Sequence, residues 1–327
     1  MSSIYSLSIS ACATIDLHSL NNEGGEGNQI QTRMVNIVAE DGRLHNVNAI
    51  SGDMWKHIQA EHLFRLAKDN GSMPLCAACQ VFNANRISAD EDYTEQIGDK
   101  GVSDAQATDW LLERCAMDDM EGNLITSGNR SLPRKSVVEF GWVVGRPDVT
   151  TTDSYFHVKY ATERGQEQRD ADSAEAARGS NLGQAIFHRP ASSGQYAIVA
   201  NLELARIGFN DITQSYAIDE DARRARCRLL LESLLYTFLE PRGAMRNTQN
   251  PHIVALEGVV ALSRSSVPAP TVSPLRRDYR EQIQGIASSL EPLHKGAIEL
   301  KPFDSLSAFS QVMAELIESE APYTLRY

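Results

Sequence analysis

The sequence RLHNVNAISGDMWKHIQAEHLFRLAKDN, residues 43–70, decides how we interpret the fold of this 327-residue chain. It predicts a strand that runs directly into a helix. Ser51 is a good N-cap because its hydroxyl can accept a bond from a first-turn amide. Asp53 suits the positive end of the helix dipole, and Gly71 is a typical residue for the other end. Both ends of this helix are therefore marked by the chemistry of their residues.

The first turn of this helix is a candidate binding site. Trp55 and Ile58 lie on the apolar stripe, whereas Lys56 and His57 point away from it, beside the free amides of the first turn. A cation next to unpaired backbone amides can hold a phosphate. The alternative is an ordinary core helix whose lysine is only solvated, and this stretch alone does not decide between them.

Composition indicates a globular cytoplasmic protein. Hydrophobic residues make up 42% of the chain, which is enough for a buried core. We find no signal peptide and no uncharged apolar run of about 18 residues, so we expect no membrane segment. An odd number of scattered cysteines does not suggest a disulfide framework. They are Cys12, Cys76, Cys79, Cys115 and Cys227.

The net charge of −12 is unevenly distributed. Residues 89–123 hold eleven acids and two bases, so this segment carries most of the excess. Residues 130–146 hold four bases and one acid, and residues 222–246 hold six arginines and two acids. Basic patches that could meet phosphates are therefore present, although such runs are more often solvated surface.

The predicted elements follow the order of a known α+β fold. Apolar and polar residues alternate over 5–17, which predicts a strand with one wet face. A hairpin over 31–48 turns at Asp41-Gly42. Without its insertions the chain reads strand, helix, strand, strand, helix, strand (5–17, 53–68, 136–144, 195–207, 219–239 and 253–262). This is the βαββαβ order of the ferredoxin-like, RNA-recognition type of fold. The polar face of the first strand would then lie on the open, nucleic-acid-binding face of the sheet, without the usual aromatic residues.

Three segments interrupt this order. Residues 72–133 form a Cys-containing acidic insertion with one short helical pattern, and residues 146–190 form a protruding excursion with a turn at 192–194 after it. The polar run 163–181 is predicted as its mobile tip. Residues 241–252 form a loop with little to pack, whose order we expect to depend on a partner.

The acidic insertion contains one CxxC pair, Cys76 and Cys79. With Cys115 and a nearby histidine such as His62, this pair could complete a structural zinc site. The alternative is that these cysteines are small buried thiols, because the second half of a paired CxxC motif is absent. Redox chemistry is less favoured because no βαβ context surrounds the pair.

Three stretches carry a family resemblance. HNVNAISGDMWKHIQAEHL at the first helix, SVVEFGWVV after a basic lead-in, and GAMRNTQNPHIVALEGVVAL after the second helix are similar to the backbone subunit of type I CRISPR Cascade complexes, in its DevR-like branch. The similarity runs through essentially the whole chain. The resemblance implies an RNA-recognition-type palm with fingers formed by 72–133 and 146–190, and a thumb at 241–252.

The resemblance also implies partners and contacts. The guide RNA (crRNA) would be bound by copies stacked into a helical filament that supports pairing with target DNA and joins other Cascade subunits. Ser51 and Lys56 match the family's capping serine and RNA-contacting lysine, but arginines found before that serine in other branches are missing here. The RNA-binding candidates are Arg43, Asn46, Asn48, Ser51, Gly52, Lys56, His57, Arg134, Lys135, Arg242, Arg246 and Asn247.

The sequence gives no support for catalysis. The eight histidines are scattered, and no GxSxG, HExxH or Walker motif is present. The family likewise has no catalytic activity of its own, so we expect a protein that is not an enzyme. Two alternatives stay open: a nucleic-acid-binding regulator acting alone as a dimer, and a metal-dependent nuclease that uses the acidic insertion.

Overall fold

The computed structural model describes residues 2–127, 130–160 and 184–326. The predicted mobile tip, residues 163–181, lies outside this part of the chain. The α-helices in it are α1 (Gly52–Asn70), α2 (Glu91–Gly98), α3 (Asp104–Arg114), α4 (Ala116–Glu121), α5 (Glu220–Leu239), α6 (Tyr279–Leu290) and α7 (Leu306–Ser319). Within these residues, no helix combines the length and apolar character needed to cross a membrane.

The strands alternate with these helices in an α+β arrangement. They are β1 (Ser2–Ile4), β2 (Ser6–His18), β3 (Asn22–Glu26), β4 (Gln29–Thr32), β5 (Met34–Val38), β6 (Leu44–Ile50), β7 (Asn123–Ile125), β8 (Leu132–Arg134), β9 (Val138–Phe140), β10 (Val143–Tyr160), β11 (Gln184–Leu202), β12 (Phe209–Asn210), β13 (Ser215–Tyr216), β14 (His252–Ser263), β15 (Ile298–Phe303) and β16 (Glu320–Pro322).

One large sheet organises the molecule. Its main path runs β15-β14-β2-β11-β10-β6-β5, and every neighbouring pair on this path is antiparallel. In the centre, Ala11 of β2 pairs with Ile198 of β11 on one side and with Gly258 of β14 on the other. The four strands predicted for the βαββαβ order are thus adjacent, with the first strand between the third and the fourth.

The main core lies on one face of this sheet, where α1, α5 and α7 pack. The inward residues of β2 that reach it include Leu7, Ile9 and Ile15. Trp55 of α1 meets Phe238 of α5 edge to face, with ring centroids 5.9 Å apart. The alternating pattern of the first strand therefore identified its core face correctly.

The opposite face of β2 differs from the prediction. Ser8 and Ser10 are buried, because residues 266–278 cross the sheet there and lead into α6. Ser8 Oγ donates to Pro270 O at 2.8 Å, and Ser10 Oγ accepts from Val272 N at 3.3 Å. The predicted open polar face of the first strand is wrong at these positions, because its hydroxyls serve to bind a crossing segment.

The boundary between β6 and α1 agrees with the sequence. Ser51 Oγ accepts a hydrogen bond from Met54 N at 3.1 Å, and Gly71 ends the helix with a left-handed φ of 64°. Gly52 lies against another strand: a Cβ there would stand 2.8 Å from Phe140 O. Only glycine therefore allows α1 to begin so close to β9.

Two predicted strands have different limits. The stretch predicted over 136–144 is divided at Gly141-Trp142 into β9 and β10. The turn predicted at 192–194 is an irregularity inside the continuous strand β11, with a shift in pairing between Ser192 and Gly194. Gly194 has φ 151°, and a Cβ there would lie 2.3 Å from Val149 O, so the two long strands bend past each other at this point.

The acidic insertion forms a second core with more helix than predicted. Helices α2, α3 and α4 and two 3₁₀ turns (Cys79–Val81 and Arg86–Ala89) enclose apolar side chains such as Tyr93 and Leu111. Ala60 of α1 belongs to the same cluster. The insertion is thus packed directly on the central helix.

Candidate nucleic-acid interface and buried cysteine cluster

Lys56 is tied to neighbouring elements by its ammonium group. Its Nζ donates to Glu121 O at 2.9 Å and to Ser136 Oγ at 2.7 Å, and it stands 3.9 Å from Glu121 Oε2. Burial lowers the pKa of Lys56, and the Glu121 carboxylate opposes that change. Two of the three ammonium hydrogens are bonded to oxygens of the protein. The Lys56 side chain is 27% exposed to solvent.

Two open clefts meet at Lys56. The first, of about 380 Å³, is lined by His57 and by Phe82 and Arg86 of the insertion. The second, of about 290 Å³, is lined by Gly52 and by residues of the β9 region up to Trp142. The first turn of α1 therefore forms the ridge between two surface depressions, and a chain lying in either one would pass Lys56.

The loop at 241–252 is anchored by several contacts. Ala244 N donates to Leu20 O at 2.9 Å, and Gln249 Nε2 donates to Pro190 O at 2.7 Å. A Cβ on Gly243 would lie 2.6 Å from Leu20 O. The expectation that this loop has little to pack is thus wrong for its ends, which contact residues after β2 and along β11.

The two arginines of this loop share one carboxylate. Arg242 Nη2 donates to Glu240 Oε2 at 2.8 Å, and Arg246 Nη2 donates to Glu240 Oε1 at 2.7 Å. Glu61 Oε1 also lies 3.9 Å from Arg242 Nη1, and Glu61 pairs with Arg65. Three arginines therefore accompany two acids here, which leaves one net positive charge. Asn247 next to them is exposed.

Leu20 and Asn21 join the loop to the helix. Asn21 Oδ1 accepts from Ser51 N at 2.7 Å, directly before α1. The backbone oxygen of Leu20, the preceding residue, accepts a hydrogen bond from Ala244 N of the loop. The structure therefore brings the first turn of α1 and the 241–252 loop together through two residues that the sequence analysis did not select. The available signal in the sequence was the position of Asn21 at the start of the glycine-containing run 21–29.

Three other RNA-binding candidates, Arg43, Asn46 and Lys135, are exposed to solvent. Arg43 lies at the tip of the β5-β6 hairpin, and Asn46 Nδ2 donates across it to Asn36 Oδ1 at 2.9 Å. Lys135 is 62% exposed, with Nζ 3.2 Å from Glu139 Oε1. Ser136 and Glu139 line the second cleft together with Lys56, so Lys135 lies at the border of that cleft. Arg43 and Asn46 lie on the β5-β6 hairpin.

Two candidates are structural instead. Arg134 is 4% exposed and donates to Asp119 Oδ1, Phe209 O and Arg206 O, each at 2.7 Å. Asn48 is also buried, and its side chain bonds Arg33 O and the Tyr196 hydroxyl. Contacts of Arg134 and Asn48 with RNA do not fit this structure, because internal partners occupy both groups.

Three cysteines of the insertion meet in a buried cluster. Ligand atoms of Cys76, Cys79, Cys115 and Asp118 all lie within 4.8 Å of one another, so the cluster could hold a metal ion. His62, expected as the fourth ligand, lies elsewhere, with Nε2 2.9 Å from Glu240 O. Asp118 takes that place. In the sequence, Asp118 is one of the eleven acids of residues 89–123, and its position gives no sign of a ligand.

Comparison with known proteins gives the family. A family model described as "CRISPR-associated negative auto-regulator DevR/Csa2" matches residues 9–284. No curated protein sequence matches the chain. A solved chain titled "CRISPR RNA-guided surveillance complex, pre-nicking" is 13% identical, with a TM-score of 0.51 over 95% of this chain and 99% of that one.

Two further structures are similar. A chain titled "CRISPR RNA-guided surveillance complex" is 11% identical, with a TM-score of 0.51 over 95% of this chain and 98% of that chain. A protein titled "Crystal structure of Thermofilum pendens Csc2" is 12% identical over 94% of this chain and 80% of that one, with a TM-score of 0.37. The likeness to the two chains with a TM-score of 0.51 shows a shared fold, whereas the family model spans most of the sequence. The chain belongs to the DevR/Csa2 family of CRISPR-associated proteins.

Proposed function

We propose that this chain is a crRNA-binding backbone subunit of a type I CRISPR Cascade complex. The observation that carries the proposal is the family match over residues 9–284, joined to a fold shared with a chain from an RNA-guided surveillance complex. Copies would stack along the crRNA as a helical filament, support pairing with target DNA, and bind the other Cascade subunits in the cytoplasm.

We assign the palm to the four adjacent strands β14, β2, β11 and β10 with α1 and α5 behind them. This order is that of the RNA-recognition type of fold, which supports the assignment. Residues 72–133 and 146–190 would be the fingers and residues 241–252 the thumb. In this arrangement β2 and its covered serines form the interior, so RNA would lie along the edges of the palm.

The RNA-binding surface would run from the first turn of α1 to the thumb. Gly52, Lys56 and His57 border the two clefts, and Arg242 and Arg246 add positive charge across Leu20 and Asn21. Lys56 would contribute its remaining N–H bond to a phosphate. Because these groups can bind any sugar-phosphate backbone, they suit a protein that must accept every guide sequence.

We also propose that the protein is structural and not an enzyme. A nuclease in the insertion would need carboxylates open to water and metal. Asp119 is instead buried between Arg134 and Arg226, each 2.7 Å away. Among the residues that the structure describes, the exposed acids of the insertion do not form a group of three or more that could hold a metal ion. One observation supports the alternative of a nucleic-acid-binding regulator: the family description contains the term "negative auto-regulator".

Co-expression with a repeat-spacer RNA tests the proposal. We expect purified protein to carry RNA enriched in that transcript, in particles whose length follows the length of the guide. Removing Lys135 or His57 should weaken RNA binding, whereas Lys68→Ala, at the far end of α1, serves as a control. Recovery of random cellular RNA would contradict the proposal. So would a dimer without RNA that binds duplex DNA as tightly as the RNA-bound protein does. Cleavage of labelled RNA with added Mg²⁺ would support the nuclease alternative.

A further inference from the structure

The buried cysteine cluster has the spacing of a paired metal-binding motif. Cys76 and Cys79 are separated by two residues, and so are Cys115 and Asp118. The second half is therefore CxxD. Each half lies at the start of a short helical turn, Cys79 opening a 3₁₀ turn and Cys115 capping α4. Two such turns facing each other are a common arrangement for four metal ligands.

The distances suit a tetrahedral ion. Asp118 Oδ2 is 3.6 Å from Cys76 Sγ and 3.4 Å from Cys79 Sγ. Around zinc, a sulfur at about 2.3 Å and an oxygen at about 2.0 Å are about 3.5 Å apart when the angle between them is tetrahedral. These two oxygen–sulfur separations match this value, and all four ligand atoms lie within 4.8 Å of one another.

The groups around the cluster orient its ligands. Asn123 Nδ2 donates to Asp118 Oδ1 at 2.8 Å, which leaves Oδ2 directed at the sulfurs. Ile87 N also bonds this carboxylate, and Cys79 N donates to Cys76 Sγ at 3.4 Å. Backbone and amide donors of this kind typically surround the first ligands of a structural metal site.

A buried acid beside three thiols requires an explanation. Asp118 and the three cysteines are all buried. A carboxylate and thiolates are costly to bury in an apolar core unless a cation compensates their charge. A divalent ion would neutralise the charge of these ligands, so the composition of the cluster agrees with its geometry.

We propose that Cys76, Cys79, Cys115 and Asp118 bind one structural zinc ion. Thiolate ligands favour zinc over magnesium or calcium, and four protein ligands leave no open position for catalysis. The ion would fasten the start of the insertion, residues 76–79, to α4 at its end. The site is independent of the proposed RNA-binding function, and it can be present whether or not the protein binds crRNA.

Metal analysis of untagged, full-length protein tests the site. We expect about one zinc per chain, retained through gel filtration. Asp118→Asn should lower zinc retention at least tenfold in competition with a chromophoric chelator. Cys227→Ser is the matched control, because it removes a buried thiol outside the cluster and should leave the zinc content unchanged. His62→Ala should also keep its zinc, which separates Asp118 from the ligand expected from sequence.

A second variant covers the case in which Asp118→Asn does not fold. Asp118→Cys completes the paired CxxC motif, and it should bind zinc at least as tightly as the parent. After exchange with Co²⁺, the parent should show a thiolate-to-cobalt absorption band, and this variant should show a stronger one. Protein that refolds without zinc, with no cobalt band and an unchanged melting temperature in chelator, would overturn the proposal.

Discussion

Replacing Lys56 by alanine should destabilise the protein as well as weaken RNA binding. The substitution leaves the fully buried Glu121 carboxylate without the ammonium that stands 3.9 Å away. Two charges at that distance attract by about 4 kcal/mol in a partly solvated site. Lys56 is partly exposed, and Arg86 also lowers the pKa of Glu121, so we expect a loss of about 2 kcal/mol in the free energy of unfolding.

The stability that Lys56→Ala loses should depend on pH. Burial raises the pKa of Glu121 in the folded protein, so the folded state binds the proton more tightly than the unfolded chain. The cost of the buried charge is therefore absent at low pH and grows as pH rises through the raised pKa. Lys56→Ala should approach the parent's stability in acid and fall furthest behind it at neutral pH.

Urea denaturation over a pH series measures this effect, with Lys56→Ala/Glu121→Gln as the matched variant. Removing both charges should recover most of the loss. If Lys56→Ala alone is as stable as the parent at neutral pH, the internal role of Lys56 is refuted. For the RNA role, the slope of log affinity against log salt should fall by about one phosphate contact in folded protein. An unchanged slope would leave Lys56 as an internal residue only.

Three further predictions concern other parts of the chain. Arg134→Ala should cost about 3–5 kcal/mol of unfolding free energy by chemical denaturation, because it leaves Asp119 with one arginine in the core; a change below about 1 kcal/mol would contradict its buried role. Arg242→Ala with Arg246→Ala should leave monomer stability within about 0.5 kcal/mol yet abolish ordered particles in electron micrographs, unlike Arg276→Ala with Arg277→Ala on another surface; full-length complexes would show that the loop is not a thumb. Burial lowers the pKa of His18 from 6.5 to about 4, so stability should be complete above pH 6.5 and fall by about 2.5 kcal/mol near pH 4.5. His18→Phe should remove this loss of stability at low pH. If the variant is as sensitive to acid as the parent, His18 is not the cause.

Local chemistry made the central helix predictable. Ser51 and Gly71 act through bonds and backbone angles within a few residues, so the sequence around them contains the full cause. The alternation over 5–17 likewise determines which side chains of β2 face the core. The order of the main strands along the chain followed from such short-range patterns, but their limits did not.

Long-range contacts explain what the sequence did not predict. Whether Ser8 meets water or Pro270 depends on a segment far along the chain. Arg134 has the appearance of a surface base until Asp119 is placed against it by the insertion. Asp118 was overlooked for the same reason: a carboxylate is informative as a ligand only after three sulfurs are known to surround it.

Helix α4 has a consequence for how this protein can be dissected. Within six residues it directs Asp118 to the cysteines, Asp119 to Arg134 and Arg226, and Glu121 to Lys56. The insertion is thus not a detachable module. A shortened chain that joined α1 directly to β9 would lose Arg134 together with α4, but it would keep Lys56 and Arg226 without their carboxylate partners. Any minimal version must therefore retain α4 or replace these two bases with apolar residues of similar size.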